Sequence, residues 1–600
     1  MADTPVNSLA DMLLRRVAET PSDEAYRYPS DGGWESLTWR EVGERVRALA
    51  CGLRALGLED EQRCAILSTT RIEWILADLA ILLAGGATTT IYPSSTGPDC
   101  VYILNDSESR IVFVEDAAQL AKLEAERDAI ESARHAVLLC GEPSAHAASR
   151  AMSLAGLMER GRAWDARNPG RLDAIVAAVR RDSLATLVYT SGTTGRPKGV
   201  ELVHDCWIYE AEAIDQLRLL RRDDLQYLWL PLSHIFGKVL EAAQIQIGFP
   251  TAVDGRVDRM VENLAVVRPT FVAAVPRVFE KVRNRILLTA QEAGGLKQTL
   301  FDWAFGVGRR LSGCRQAGSA VGTGLGLKAA IAQRLVFSKI QARFGGRLRF
   351  FVSGSAPLMR DVAEFFHAAG ILILEGYGLT ETSAASCVNL PDRYRFGSVG
   401  PPLPGTEVRI AEDGEVLLRG RGMMRGYHRL PELTREALEP DGWLHTGDIG
   451  ILEDGFVRIT DRKKELIKTS GGKYVAPQAI EGKLKALCPY VTQVVVHGNN
   501  RHFCSALVTL DAETLGKWAL ERGLQPQPMV ELVEQPAVRL LVQQHVDQLN
   551  AGLASFETIK RFAILPVEFT PDSGELTASL KIKRRVVEEK YRSVLDALYA

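Results

Sequence analysis

Tyr189-Thr190-Ser191-Gly192-Thr193-Thr194-Gly195-Arg196-Pro197-Lys198-Gly199 is a run of glycines, hydroxyls and one lysine that closes a short apolar strand, Leu184 to Val188. With a helix expected from about Val203, the run reads as a strand-to-helix loop. Its glycines let backbone N–H groups approach an anion closely. Thr190, Ser191, Thr193 and Thr194 add hydroxyl donors, and Lys198 adds a charge. The chemistry is that of a phosphate cradle. It is not a Walker A loop, because Arg196 and Pro197 separate Gly195 from Lys198 and no Ser or Thr follows the lysine to hold magnesium.

Size and composition bound the rest. The 600 residues are 46% hydrophobic and 24% charged, an ordinary globular make-up too long for one core. Lysines and arginines number 72 against 74 acids, for a net charge of -2, which gives no electrostatic case for a nucleic-acid partner. Nine scattered cysteines without a Cys-x-x-Cys pair argue against a disulfide framework or zinc site and fit a reducing cytosol. The N-terminus shows no signal-peptide pattern, and the apolar stretch Ile75 to Gly85 carries Asp78 and is too short to span a bilayer. Any membrane contact is therefore expected to be peripheral.

Working outward, Thr38-Trp39-Arg40-Glu41 has capping-box spacing before a helix that Gly57 ends. Strand-like runs at Arg63 to Leu67, Ile111 to Val114, Ala136 to Leu139, Phe271 to Val275, Leu348 to Val352 and Ile371 to Leu374 alternate with helical ones. That pattern predicts an α/β fold of layered, mostly parallel sheets. Beyond Gly400, Asp-Gly turns such as Asp413-Gly414 and Asp454-Gly455 predict hairpins of a small β subdomain. After Arg462 the texture turns to mixed α and β. We expect a large N-terminal domain over residues 1–463 and a small, mobile α+β C-terminal domain over 464–600. Leu311 to Leu327, rich in Gly, Ser and Ala, reads as a flexible surface insertion leading into an amphipathic helix with Ile331, Leu335, Val336 and Ile340 on one side.

Several short motifs follow the phosphate loop in order: Gly354-Ser355-Ala356-Pro357-Leu358, Gly376-Tyr377-Gly378-Leu379-Thr380-Glu381-Thr382, His445-Thr446-Gly447-Asp448, Asp461-Arg462-Lys463-Lys464-Glu465 and Glu575 through Arg584. Each is weak alone. In that order, and together with the loop, they resemble the AMP-forming adenylating enzymes, the superfamily of acyl-CoA synthetases, peptide-synthetase adenylation domains and firefly luciferase.

The resemblance implies roles. Gly354, Ser355 and Ala356 would form the backbone loop against adenine, with Tyr377, next to Gly378, stacking on the ring. Thr380 would bond a phosphate oxygen and Glu381 would hold Mg2+. A hard cation bridging phosphates needs carboxylate oxygen, and an aromatic face is a flat platform for a purine. Asp448 would accept both ribose hydroxyls with Arg462 beside it, and Lys464 would be the hinge about which the C-terminal domain swings.

Lys581 would stabilise charge between the acid and the α-phosphate. The usual glycine before it is Leu580, and Lys583 offers an alternative register. Lys473, in Gly471-Gly472-Lys473, would line the pantetheine path after the swing. His234 and Phe236, in Pro231 to Phe236, would line the acyl site; taken alone, His234 reads nearly as well as a satisfied core histidine.

Ala274 to Val282 and Lys328 to Gly346 are similar to stretches of the long-chain fatty acid–CoA ligase branch, as is the Gly-rich insertion. The implied substrates are ATP with Mg2+, a fatty acid and CoA. A carrier protein as acceptor, another hydrophobic acid as substrate, and a nucleotide-binding protein without catalysis are the competing readings.

Overall fold

The structure, a computed structural model, describes residues 5–144, 147, 149–190, 196–570, 573–577 and 581–600. Two eight-stranded, largely parallel sheets build the N-terminal region. In one, strands Arg63–Leu67, Ala87–Ile91, Ile111–Val114, His135–Leu138 and Leu184–Thr190 run parallel. In the other, Gln226–Leu228, Phe271–Ala274, Phe350–Ser353 and Ile373–Tyr377 do so. Their apolar runs are buried on both faces, as parallel strands covered by helices must be.

Helix Trp39–Ala55 begins with the expected capping box, Thr38 and Glu41 satisfying each other's backbone N–H. Helix Ile72–Leu83, the most apolar segment, is buried at every position but Glu73. No helix of the described residues is long and apolar enough to cross a membrane.

The phosphate loop departs from its expected setting. Lys198–Val203 is a strand, antiparallel to Leu184–Thr190, and the helix starts only at His204. The loop is thus the tip of a β-hairpin, not a strand-to-helix turn. The reason lies in the alternation of residues 199–202: Val200 and Leu202 are buried on the sheet while Glu201 between them reaches Arg425 and His428.

The four-stranded antiparallel sheet Glu407–Ile410, Glu415–Arg419, Leu444–Glu453 and Phe456–Arg462 forms the β subdomain. Asp448 lies within its third strand. The Gly-rich stretch is also more ordered than expected. Leu311 belongs to the long helix Gly295–Gln316, a six-residue turn follows, and helix Thr323–Ala332 continues through a wider π-turn, Gln333–Phe337, into Ser338–Ala342. Ile340 is buried and Val336 packs on the core, whereas Ile331 and Leu335 face outward, so the four do not share one buried face.

Separate apolar cores serve the two ends of the chain. The main one unites the large sheets and their helices. A second, from Ile467 to Phe562, fills the C-terminal region around sheet Val491–His497, Cys504–Leu510 and Ile559–Leu565. The C-terminal region seats on helix Pro276–Ala293. Arg283 donates to the Ala486 carbonyl (2.8 Å), and Arg277 and Lys281 act electrostatically on Asp511 and Glu568.

Candidate active site

Three motif loops leave the carboxyl ends of parallel strands, where ligands of open α/β sheets bind: after Thr190, after Ser353 and after Tyr377. Thr190 pairs with Lys198 across the hairpin, and Ser191, Gly192, Thr193, Thr194 and Gly195 lie outside the described residues. The hairpin's flank is braced by Tyr189, whose hydroxyl donates to Asp106 Oδ2 (2.6 Å).

Lys198 Nζ stands 5.0 Å from the centre of the Tyr427 ring, and the Tyr427 hydroxyl donates to Glu381 Oε1 (2.8 Å). The two-residue strand Gly426–Tyr427 pairs with Lys198–Val203 and delivers the tyrosine, while the Met424 N–H donates to the Glu381 carbonyl (2.8 Å). The second Glu381 oxygen takes no hydrogen bond from a described residue. Thr380 begins the tight turn Thr380–Thr382, and its carbonyl accepts from the Ser383 N–H (3.2 Å). Gly378 is obligatory there: a Cβ would sit 1.5 Å from the Ala384 carbonyl oxygen.

Tyr377 donates its hydroxyl to Asp448 Oδ2 (2.7 Å), and Arg462 Nε meets Asp448 Oδ1 at 2.9 Å. Neighbouring strands set this up, because Asp448 and Arg462 are register partners. Burial raises the Asp448 carboxyl above its ordinary value, opposed by Arg462 and the Tyr377 bond; burial and Asp448 push the Tyr377 phenol up. In the adenine-loop motif, Gly354 abuts Phe236, whose ring would be 3.2 Å from an added Cβ. Ser355 takes the left-handed conformation (φ 69°), uncommon outside glycine.

His234 caps helix Ile235–Ile247, its Nδ1 accepting from the Phe236 N–H (3.2 Å). Burial and the nearby Lys581 lower it to about 3, so it is a neutral imidazole at physiological pH.

Lys581 enters from the C-terminal region, its N–H donating to Thr577 Oγ1 (3.0 Å); Leu580 lies outside the described residues. It is exposed, yet desolvation by neighbouring protein, then the Arg462 charge, lowers its ammonium below the ordinary lysine value, while Glu381 and Asp448 pull the other way. Lys583 instead precedes helix Arg584–Lys590, its N–H bonded to the Glu575 carbonyl (2.7 Å). Partly buried Arg584 anchors this segment to Glu481 (2.7 Å) and the Val496 carbonyl (2.8 Å).

Lys198, Tyr377, Glu381, Asp448, Arg462, His234 and Lys581 are therefore brought together. Lys464 is exposed in the turn between the two cores, after Arg462. Lys473 is exposed on the hairpin Ile467–Lys468/Tyr474–Val475, and no hydrogen bond or ion pair joins its side chain to the cluster. Sequence reasoning missed Tyr427, which sits in no recognisable motif and is tied to the site by a long-range strand pairing. Among the described residues no group of three or more His, Cys, Asp or Glu could hold a metal unaided. A lone carboxylate with a free oxygen suits a Mg2+ that arrives carrying phosphate ligands.

A family model described as AMP-binding enzyme matches residues 13–428, and one described as AMP-binding enzyme C-terminal domain matches 464–600. The long-chain-fatty-acid–CoA ligase FadD15 of Mycobacterium bovis is 37% identical over 603 residues, covering 99% of this chain and 97% of that one. The long-chain-fatty-acid–CoA ligase ACSBG1 of Homo sapiens is 31% identical, covering 94% and 82%. Among solved structures, the A domain of carboxylic acid reductase from Segniliparus rugosus, in complex with AMP and a co-purified carboxylic acid, superposes with a TM-score of 0.75 at 20% identity over 100% of this chain and 95% of that one. The anthranilate CoA ligase AuaEII with anthranoyl-AMP gives 0.73 at 20% identity over 99% of both. At such identities the structures speak for the fold.

Proposed function

Because the chain belongs to the AMP-binding enzyme family, we propose that it is a long-chain fatty acid–CoA ligase acting through an acyl-adenylate. The carrying observation is the convergence of Lys198, Tyr377, Glu381, Asp448, Arg462 and Lys581 on one cleft between the two regions. Relatives with long-chain-fatty-acid–CoA ligase names along nearly the full chain support the substrate class and free CoA as acceptor.

A carboxylate is a poor acyl donor because oxide would have to leave. In the first half-reaction its oxygen attacks the α-phosphorus of ATP, the bond to the β-phosphate breaks, and pyrophosphate departs. The roles assigned to this chain are those the family resemblance implies, and the charges present suit them. Thr190, Ser191, Gly192, Thr193, Thr194, Gly195 and Lys198 cradle the β- and γ-phosphates, and Thr380 bonds a phosphate oxygen.

Lys581 lies across the cleft and offsets charge on the reacting oxygens. Tyr377 stacks on adenine against Gly354, Ser355 and Ala356, and Asp448 with Arg462 holds the ribose. Glu381 would hold Mg2+, which when bound neutralises phosphate charge. His234, being neutral, and Phe236 border the acid without competing for its charge.

In the second half-reaction the thiolate sulfur of CoA attacks the acyl carbon and AMP leaves, the thiol proton passing to solvent. Here the C-terminal domain, residues 464–600, turns about Lys464 and exchanges the Lys581 face for the Lys473 hairpin, whose exposure leaves it able to approach. Nine free cysteines and the lack of a spanning helix among the described residues support a reducing, cytoplasmic setting with at most peripheral membrane contact.

The test is a panel of fatty acids of graded length, read by pyrophosphate release and thioester formation with CoA or with a phosphopantetheinyl protein. Release independent of any fatty acid, or thioester formed only on the carrier protein, overturns the assignment.

A further inference from the structure

From Trp303 to Arg347 the chain holds eight basic residues and no Asp or Glu, against 72 basic and 74 acidic residues overall. None of the eight forms an ion pair with a described residue. Most of this stretch is the helical excursion Gly295–Gln316 and Thr323–Ala342, set outside the large sheets. Its second helix is apolar on two sides. Leu325, Ala329, Ala332, Val336, Phe337 and Ile340 pack inward on the main core. Leu327, Ile331 and Leu335, spaced four apart, point outward with 68%, 43% and 44% of their surface exposed. Lys328, Arg334 and Lys339 are interleaved with them and exposed.

A helix with a second apolar stripe opposite its core face is expected to have that stripe covered as well, and an exposed apolar stripe rimmed by unpaired cations has a defined complement. Apolar side chains enter the acyl boundary of a bilayer while lysine and arginine reach back to phosphates.

We infer that the outward face of Thr323–Ala342 seats the protein on an anionic lipid surface. The inference rests on the reading of the substrate as a long-chain fatty acid, which partitions into bilayers, and it deepens that reading by giving the enzyme a place to meet it. An acidic protein would satisfy the charges but leaves three separated aliphatic side chains without a specific pocket. A second copy of the chain would oppose like charges across a two-fold contact.

The test is vesicle co-sedimentation of the full chain, comparing phosphatidylglycerol–phosphatidylcholine vesicles with phosphatidylcholine alone. Binding is expected to the anionic vesicles only, and to weaken with added salt. Each basic residue near such a surface contributes about a fivefold gain in affinity, so K328E/R334E/K339E should lose at least about a hundredfold. L327S/I331S/L335S should release the protein as well. Both variants should keep wild-type adenylation of a water-soluble shorter acid, which shows that they fold.

Wild type that ignores anionic vesicles, or variants that bind like wild type, overturns the inference. So does a serine variant that turns a dimer into a monomer without changing vesicle binding. If instead vesicles are bound but no fatty acid triggers pyrophosphate release, the ligase reading fails and the lipid surface stands.

Discussion

Replacing Arg283 with alanine should separate the two half-reactions without touching a group that meets substrate. Its guanidinium, largely buried on helix Pro276–Ala293, donates to the Ala486 carbonyl at 2.8 Å and lies over the Phe365 ring at 5.6 Å. Burial lowers its pKa, while Asp361 and Glu280 help to hold the charge. In the proposed domain turn this bond to Ala486 would be lost together with the pose that presents Lys581 to the cleft.

A hydrogen bond from a charged group contributes about 1.5–3 kcal/mol, which at 1.36 kcal/mol per decade is about a ten- to hundredfold bias toward this pose. Arg283→Ala should therefore slow single-turnover pyrophosphate release from ATP and fatty acid by up to that factor. Thioester formation from supplied acyl-adenylate and CoA should be unchanged or faster. Equal loss in both halves, with an unaltered melting temperature, or no loss in either, would refute the reasoning that this contact favours the adenylating pose.

Lys581→Ala should cut adenylation by about 10²–10³ and spare the thioester step; because its ammonium is lowered, the alkaline limb of kcat/KM for the wild type should fall below pH 10.5, and Lys581→Arg should move it upward. Tyr427→Phe removes the donor to Glu381 and should cost about ten- to a hundredfold in adenylation, with a raised magnesium requirement; unchanged magnesium dependence would detach Tyr427 from the metal. Asp461, raised by burial from its ordinary 3.8 to about 6, binds its proton more tightly when folded, so its contribution stabilises below pH about 4 and is lost as pH rises through about 6. Asp461→Asn should raise stability at pH 7 by at most about 3 kcal/mol, less after solvent screening; melting curves at pH 5 and 8 that shift by the same amount would contradict this.

Much of the layout could be read from sequence because the motifs end strands, and apolar runs such as Ile111 to Val114 can do little else than lie in a covered sheet. The reading failed where local chemistry masked a pattern. Glycines and Pro197 drew attention to the turn and away from the alternation of residues 199–202 that makes a strand. The Gly, Ser and Ala of Leu311 to Leu327 suggested a loose loop, but Leu311 to Gln316 complete a helix anchored by Ala304, Phe305, Val307 and Gly308 upstream. Tyr427 was illegible for another reason. Its partners Lys198 and Glu381 are separated from it by tens to hundreds of residues and meet it only through sheet pairing.

That the phosphate loop joins two antiparallel strands also bears on product release. A helix start would lend about half a positive charge from its aligned peptides, fixed in the large domain and always present. A strand pair lends almost none, so in the proposed reaction the phosphates rely on the loop's N–H groups, hydroxyls and Lys198 in the large domain, while Lys581, at the reacting oxygens, belongs to the C-terminal domain. In the proposed domain turn Lys581 would leave the reacting oxygens while Lys198 stays. Withdrawal of that cation and opening of the route for the incoming thiol would then be one event, leaving pyrophosphate to the loop and Lys198 alone.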